Sequence, residues 1–189
     1  TIRGLGDRSD VLVVVLGSAG DRAFCAGASF HELVSISDEA EGLRFFMGFA
    51  NVINAMRSIP QLVIGRVQGK AVGGGVGVAS AVDYCLATKH AAVKLSELAV
   101  GIGPFVVGPA VERKLGVSAM SQLAIDATEW RSAEWAAARG LYASVHDDAA
   151  ALDAAVEAHA GYLAASNPEA MAEMKAAFWR GTEDWDCLL

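Results

Sequence analysis

The segment Asp10–Leu16 reads Asp-Val-Leu-Val-Val-Val-Leu, and it limits the fold more than any other stretch of the chain. It is too short for a buried helix. A continuous apolar run rich in valine suits a strand covered on both faces. Gly17-Ser18-Ala19-Gly20 closes it, and Phe24–Ser29 follows as a short extended stretch of small residues. The period then changes. Phe45, Phe46, Phe49, Val52, Ile53 and Met56 form one stripe of an amphipathic helix predicted over Ser37–Ser58, with Ser37-Asp38-Glu39-Ala40-Glu41 supplying cap residues and first-turn acids. Ile59-Pro60 stops it. Leu62–Val67 reads as a second strand, Val76–Val82 as a helix of small residues after Gly73-Gly74-Gly75, and Asp83–Ala87 as a third strand. Strands alternating with helices imply an α/β fold around a parallel sheet.

Further helices are predicted near Ala110–Leu115, over Ser118–Ala127, over Ala133–Arg139 with Ser132 as N-cap and Gly140 as C-cap, and over Asp148–Ala165 and Pro168–Phe178. The shift to alanine-rich helical sequence near Asp147 divides the chain into a core, residues 1–147, and a helical segment, 148–189. Thr1–Leu5 reads as the end of a helix with nothing before it, which implies absent N-terminal sequence.

Charge and cysteine content narrow the function. Fifteen Lys+Arg against 22 Asp+Glu give a net charge of −7 with no basic stripe, which argues against nucleic acid as partner. Three cysteines without Cys-x-x-Cys spacing argue against a disulfide framework or zinc ribbon and fit a reducing, cytoplasmic setting. No apolar run reaches the roughly 18 residues that span a bilayer. The Gly65–Lys70 stretch lacks the first Walker A glycine and its Ser/Thr, and no G-x-G-x-x-G, G-x-S-x-G or H-E-x-x-H occurs. No cluster has metal-ligand spacing.

The strongest local signal is a strand, a turn, three glycines and a small-residue helix. The first N–H groups of that helix lack intrahelical acceptors and face an unshielded approach. They suit an anion or a developing oxyanion, although close helix–strand packing would also require glycine there. Phe24–Ser29 is a second glycine-containing loop past a buried strand, placed to add an N–H to the same pocket.

Three motifs carry a resemblance: Arg22–Ser29 (R-A-F-C-A-G-A-S), Gln68–Gly75 (Q-G-x-A-x-G-G-G) and Ser96–Gly101 (S-E-x-x-x-G). Together, and in this order, they resemble the crotonase superfamily of enoyl-CoA hydratases and isomerases. Ala124–Leu141 is similar to the family's segment after the active site. The resemblance implies a spiral of ββα units with C-terminal helices, lacking the family's first strands and part of its last helix. It also implies acyl-CoA substrates without a further cofactor, and assembly as a homotrimer or a hexamer.

By position, the resemblance makes Ala28 and Gly74 the donors to a thioester oxygen and Glu97 the acid/base. It places Ala26, Gly27, Gly73 and Gly75 along the substrate. Arg22, Lys70 and Lys94 are candidate contacts for CoA phosphates. The family's first glutamate is replaced by Gly77, which the sequence reads as open space in the pocket. Its usual aspartate after A-G-A is Ser29. Gly103-Pro104-Phe105 is closer to the Pro-Phe segment of the single-glutamate isomerases, and Pro104, Phe105 and Val106 are expected to line an apolar pocket that raises the Glu97 pKa. One carboxylate suffices to move a double bond, whereas hydration calls for two groups. Isomerisation is thus the first reading. A hydratase or other crotonase reaction with a second polar group from elsewhere is the alternative, and a non-catalytic acyl-CoA-binding or assembly protein is a third.

Overall fold

A computed structural model describes all of residues 1–189. After a short helix α1 (Ile2–Leu5), the valine run forms strand β1 (Val13–Leu16). The expected strands at 62 and 83 are β3 (Leu62–Val67) and β5 (Tyr84–Thr88). With β7 (Ser144–His146) they build a four-stranded parallel sheet in the order β1-β3-β5-β7. β3 is buried at five of its six residues, which explains its unbroken apolar sequence.

Three very short strands form a second parallel sheet, β2 (Ala23–Cys25), β4 (Lys70–Val72) and β6 (Val93–Lys94), in the order β2-β4-β6. Sequence periodicity did not separate this layer. Strands of two or three residues are too short to show alternation, and tertiary pairing alone defines them.

Helix α2 (Phe30–Ser35) follows the β2 loop, with Ser29 accepting from the Glu32 N–H at its N-cap. Helix α3 (Glu39–Ser58) starts as a reciprocal cap: Asp38 accepts from Glu41 N–H, and the Glu41 carboxylate accepts from Ser37 N–H. Its C-terminal half buries Ala50, Ile53 and Met56 in the core. Phe45, Phe49 and Val52, from the same predicted stripe, are only half-buried, because that half of the helix borders a cleft.

Helix α4 (Gly74–Ala81) begins two residues earlier than its small apolar run suggested, directly on the glycines. Helices α5 (Gly108–Leu115), α6 (Val117–Ile125) and α7 (Ala133–Ala137) follow. The C-terminal segment forms α8 (Ala149–Ala164), α9 (Pro168–Phe178) and α10 (Trp185–Leu188). Leu152 and Val156 of α8 pack on Ile64 and Leu86, covering one face of the large sheet. The main core, including Ile53, Val63, Val76, Val82 and Leu95, fills the other face. No helix is long and apolar enough to cross a membrane.

Candidate active site

The site lies where the two glycine-bearing loops meet. Gly27, just after β2, adopts φ +86°, and Gly73, at the end of β4, adopts φ +53° with ψ −120°. Only glycine takes the Gly73 conformation without strain. These turns bring the loops together: a Cβ placed on Gly27 would lie 3.0 Å from the Val72 carbonyl oxygen and 3.8 Å from the Gly74 nitrogen. The Gly73 N–H donates to the Lys94 carbonyl at 2.9 Å, which ties the α4 N-terminus to β6. The Ala28 N–H meets no protein acceptor, and Gly74, as the first residue of α4, has none within its helix. Ala26 and Ala28 are exposed on the approach side.

Glu97 stands at the start of the one-turn 3-10 helix Leu98–Val100, which Gly101 closes at φ +83°. The Val100 and Ile102 N–H groups both donate to its carbonyl, each at 3.1 Å. Its side chain turns inward. A Cβ placed on Gly73 would meet Oε1 at 3.1 Å, so the carboxylate lies against the residue that precedes Gly74. Oε2 is buried and has no hydrogen-bond partner. Burial pushes the carboxyl pKa above the ordinary glutamate value, against a smaller downward pull from the Glu97 and Ser96 backbone N–H groups. An uncommitted carboxylate in this state is suited to taking up and returning a proton.

Gly74, Gly75 and Gly77 serve closeness rather than conformation. A Cβ on Gly74 would lie 2.3 Å from Phe49 Cζ, so the Phe49 ring rests edge-on against the helix start. A Cβ on Gly75 would lie 2.4 Å from the Cys25 carbonyl oxygen. Gly75 was expected along the substrate, but it packs α4 onto β2. Gly75→Ala is therefore expected to cost about 1–3 kcal/mol, because rigid backbone on both sides resists the added methyl. Thermal unfolding measures it, and an unchanged Tm would contradict the packing.

Two sequence expectations are corrected. The space at Gly77 is not open: a Cβ there would lie 2.5 Å from Val107 Cβ and 2.6 Å from its Cγ1. Val107, buried at the α5 N-cap, fills the position where a side chain on α4 would project. Sequence reasoning missed Val107 because nothing local connects it to α4. Phe105 does not wall an apolar pocket around Glu97 either. It is 82% exposed in the single chain and folds back on Gly103, where a Cβ would meet its ring at 2.5 Å. Val106 is partly buried against the core, and the Pro104 carbonyl accepts from the Gly108 N–H at the start of α5.

Among the candidate cations, Lys70 and Lys94 both lie over the Trp130 ring, at 4.6 and 4.7 Å from its centroid. Trp130 is 40% exposed and gathers two ammonium groups from neighbouring strands of the small sheet. Arg22 is exposed.

The sequence profile described as Enoyl-CoA hydratase/isomerase matches residues 4–186. A short-chain-enoyl-CoA hydratase of Clostridium acetobutylicum is 30% identical over 176 residues, covering 93% of this chain and 66% of that protein. A peroxisomal Delta(3,5)-Delta(2,4)-dienoyl-CoA isomerase of Arabidopsis thaliana is 26% identical over 197 residues, covering 96% of this chain and 69% of that protein. The crystal structure of an enoyl-CoA hydratase from Mycobacterium smegmatis superposes with a TM-score of 0.89 at 30% identity, over 96% of this chain and 70% of that one. The chain spans about a third to two thirds of the length of the curated relatives it matches.

Proposed function

We propose, from the premise that this chain belongs to the enoyl-CoA hydratase/isomerase family, that it moves a double bond within the acyl group of a coenzyme A thioester. Glu97 is the only acid/base in this reading. The thioester oxygen sits between the Ala28 and Gly74 N–H groups. The Glu97 carboxylate removes a proton from the α-carbon of a 3-enoyl thioester. The electron pair moves into the carbonyl, and the resulting enolate oxygen is held by the two amides. The double bond re-forms between the α- and β-carbons as the γ-carbon takes the proton back from the Glu97 carboxylic acid. No water enters and no redox change occurs.

One observation carries this reading: Val107 occupies the space over Gly77, while Glu97 alone presents a buried, partnerless carboxyl oxygen. A second group to hold a water at the β-carbon has no room on that turn of α4. The dienoyl-CoA isomerase relative supports the same chemistry. Hydration of a 2-enoyl-CoA is the second reading, favoured by the hydratase name of the Clostridium relative, and it requires a polar group from another segment.

The deciding experiment gives the purified protein a 3-enoyl-CoA and, separately, a 2-enoyl-CoA, and follows both products. The reading expects conversion of the first to the 2-enoyl isomer, with part of an α-deuterium label carried to the γ-carbon. Hydration of the 2-enoyl-CoA faster than isomerisation of the 3-enoyl-CoA would overturn it.

The Val107 contact adds a prediction. Gly77→Glu is expected to lose about 1–3 kcal/mol of stability through overpacking, with no gain of hydration. Gly77→Glu combined with Val107→Ala is expected to recover part of that loss. Denaturant melts of the two variants measure the difference. The chain is further read as a homotrimer or hexamer, for which exposed Phe105, Val117 and Ile125 offer apolar surface. Light scattering that finds monomers only would exclude it.

A further inference from the structure

Two very short parallel strands carry the proposed oxyanion donors: β2 leads to Ala28, and β4 leads to Gly74. Their pairing is irregular, with Ala23 opposite Lys70 but Cys25 opposite Ala71. A ladder this short, with an extra residue on one strand, does little by itself to set how far β2 advances along β4. A buried amide stands at the starting end of both strands. Gln68, between β3 and β4, is 4% exposed. Its Nε2 donates to Ser18 Oγ at 2.8 Å, to the Ala23 carbonyl at 3.1 Å and to the Gly20 carbonyl at 3.2 Å. Ser18 Oγ in turn donates to the Ala23 carbonyl at 3.0 Å. Carbonyl oxygens cannot donate, so the amide turns its NH2 group toward them, and Oε1 accepts from Arg66 Nη1 at 3.3 Å. A Cβ placed on the next residue, Gly69, would lie 2.0 Å from the Arg22 carbonyl oxygen, so the chain entering β2 presses directly on the chain entering β4. The Gln68 carbonyl accepts from buried Thr88 Oγ1 at 2.7 Å, which ties this turn to the end of β5. Gln68 is thus anchored on the large sheet and grips the start of the strand that ends at Ala28.

We infer that Gln68 is a positioning residue for the proposed oxyanion site: its amide, together with Ser18, sets where β2 sits along β4 and so how the Ala28 N–H converges with the Gly74 N–H. The inference rests on the acyl-thioester reading above and deepens it. The acid/base chemistry proposed there uses neither Gln68 nor Ser18, and their effect passes through β2. Negative charge on the thioester oxygen develops only along the reaction, so a displaced N–H weakens the transition state more than the bound substrate. A misplacement of about 1 Å can cost about 10²-fold in rate.

Gln68→Met keeps the length of the side chain and removes its N–H donors, whereas Ser18→Ala removes only the hydroxyl link. Val156→Ala, in the packing between α8 and the large sheet, is the control for lost stability alone. Each variant is assayed below its melting temperature in two ways. A 3-enoyl-CoA reports turnover. Butyryl-CoA labelled with carbon-13 at the carbonyl, which lacks the double bond needed for turnover, reports the infrared band of the bound thioester. The wild type is expected to lower that band relative to free thioester, because the two amides polarise the carbonyl. Gln68→Met is expected to lose about 10- to 100-fold in kcat with KM changed less than about threefold, and to return the band part of the way to its free position. Ser18→Ala is expected to move kcat and the band in the same direction by less. Val156→Ala is expected to melt lower with both unchanged. A lowered wild-type band that Gln68→Met leaves in place overturns the inference and leaves the thioester reading intact; if Gln68→Met does not fold, an unmoved band in Ser18→Ala does the same. An equal loss of the shift in Val156→Ala also overturns it, since the effect would then follow stability. A wild type that fails to bind butyryl-CoA, or binds it without lowering the band, overturns the oxyanion reading and the inference with it.

Discussion

Glu97→Gln is expected to lower turnover of a 3-enoyl-CoA about 10³-fold while changing acyl-CoA binding little. Glutamine keeps the shape of the side chain and removes its capacity to exchange a proton, and a positioned general base contributes about 10²–10⁴ in rate. The wild-type pH profile carries the same signature. In the proposed mechanism Glu97 serves as a base only when ionised, and burial raises its pKa. The rate is therefore expected to fall, as pH is lowered, along a limb that sits above the ordinary glutamate range, and Glu97→Gln is expected to lack that limb.

Stability should move in the opposite direction to activity. The folded state disfavours the charged form of Glu97, because desolvation is the largest cause of its shift. Stability tied to this group is thus fully present below the unfolded-state pKa and is lost as pH rises through the folded-state pKa. Glutamine stays neutral throughout. At neutral pH, Glu97→Gln is expected to melt above the wild type, and the gain should vanish in acid below the ordinary glutamate range. A protein that is more stable and nearly inactive would identify a functional carboxylate. Full turnover by a folded Glu97→Gln protein would end the single-acid/base mechanism.

Asp83→Asn is expected to give the largest stability loss in the chain, about 3–5 kcal/mol, because it leaves a buried ammonium without its counter-charge. Asp83 Oδ2 lies 3.0 Å from Lys175 Nζ, and the two side chains are 4% and 3% exposed. The same oxygen accepts from the Val63 N–H at 2.8 Å, and Oδ1 accepts from Trp179 Nε1 at 2.8 Å. Lys175 donates in addition to the Gln61 carbonyl at 2.6 Å. One carboxylate therefore joins the start of β5, the start of β3 and the end of α9.

For a domain of this size, the loss corresponds to a Tm decrease of about 10–15 °C. Adding Lys175→Met to Asp83→Asn removes the stranded charge and is expected to restore much of the stability. A thermal melt of the single and double variants checks both statements. Equal destabilisation of the two would show that the hydrogen bonds to Val63 and Trp179, not the charge pair, hold the C-terminal helices in place.

Much of the fold was legible because short-range physics records it. The valine run announced β1, since a strand buried on two faces has no reason to alternate. The Phe45–Met56 stripe and the Ser37–Glu41 cap announced α3. The small-residue run announced α4 but two residues late, because Gly74 and Gly75 belong to the helix itself, at positions where close approaches admit no side chain. Glu97 was found by its spacing from those glycines within a known family pattern, and its side chain points inward, as that pattern requires. The small sheet was not legible. Its strands have two or three residues each, and hydrogen bonds between segments distant in sequence define them.

By itself, the sequence determined β1, β3 and β5 of the large sheet and the longer helices, and a resemblance in its motifs pointed to Glu97. Only the tertiary structure decided which side chains meet. It put Val107 over Gly77, Phe49 against Gly74, Phe105 out toward solvent and Lys175 onto Asp83. The reason is one of range. Periodicity, caps and backbone conformation act over a few residues and leave a local trace, whereas close packing between α4, α5, α3 and α9 depends on which side chains meet once the chain has folded.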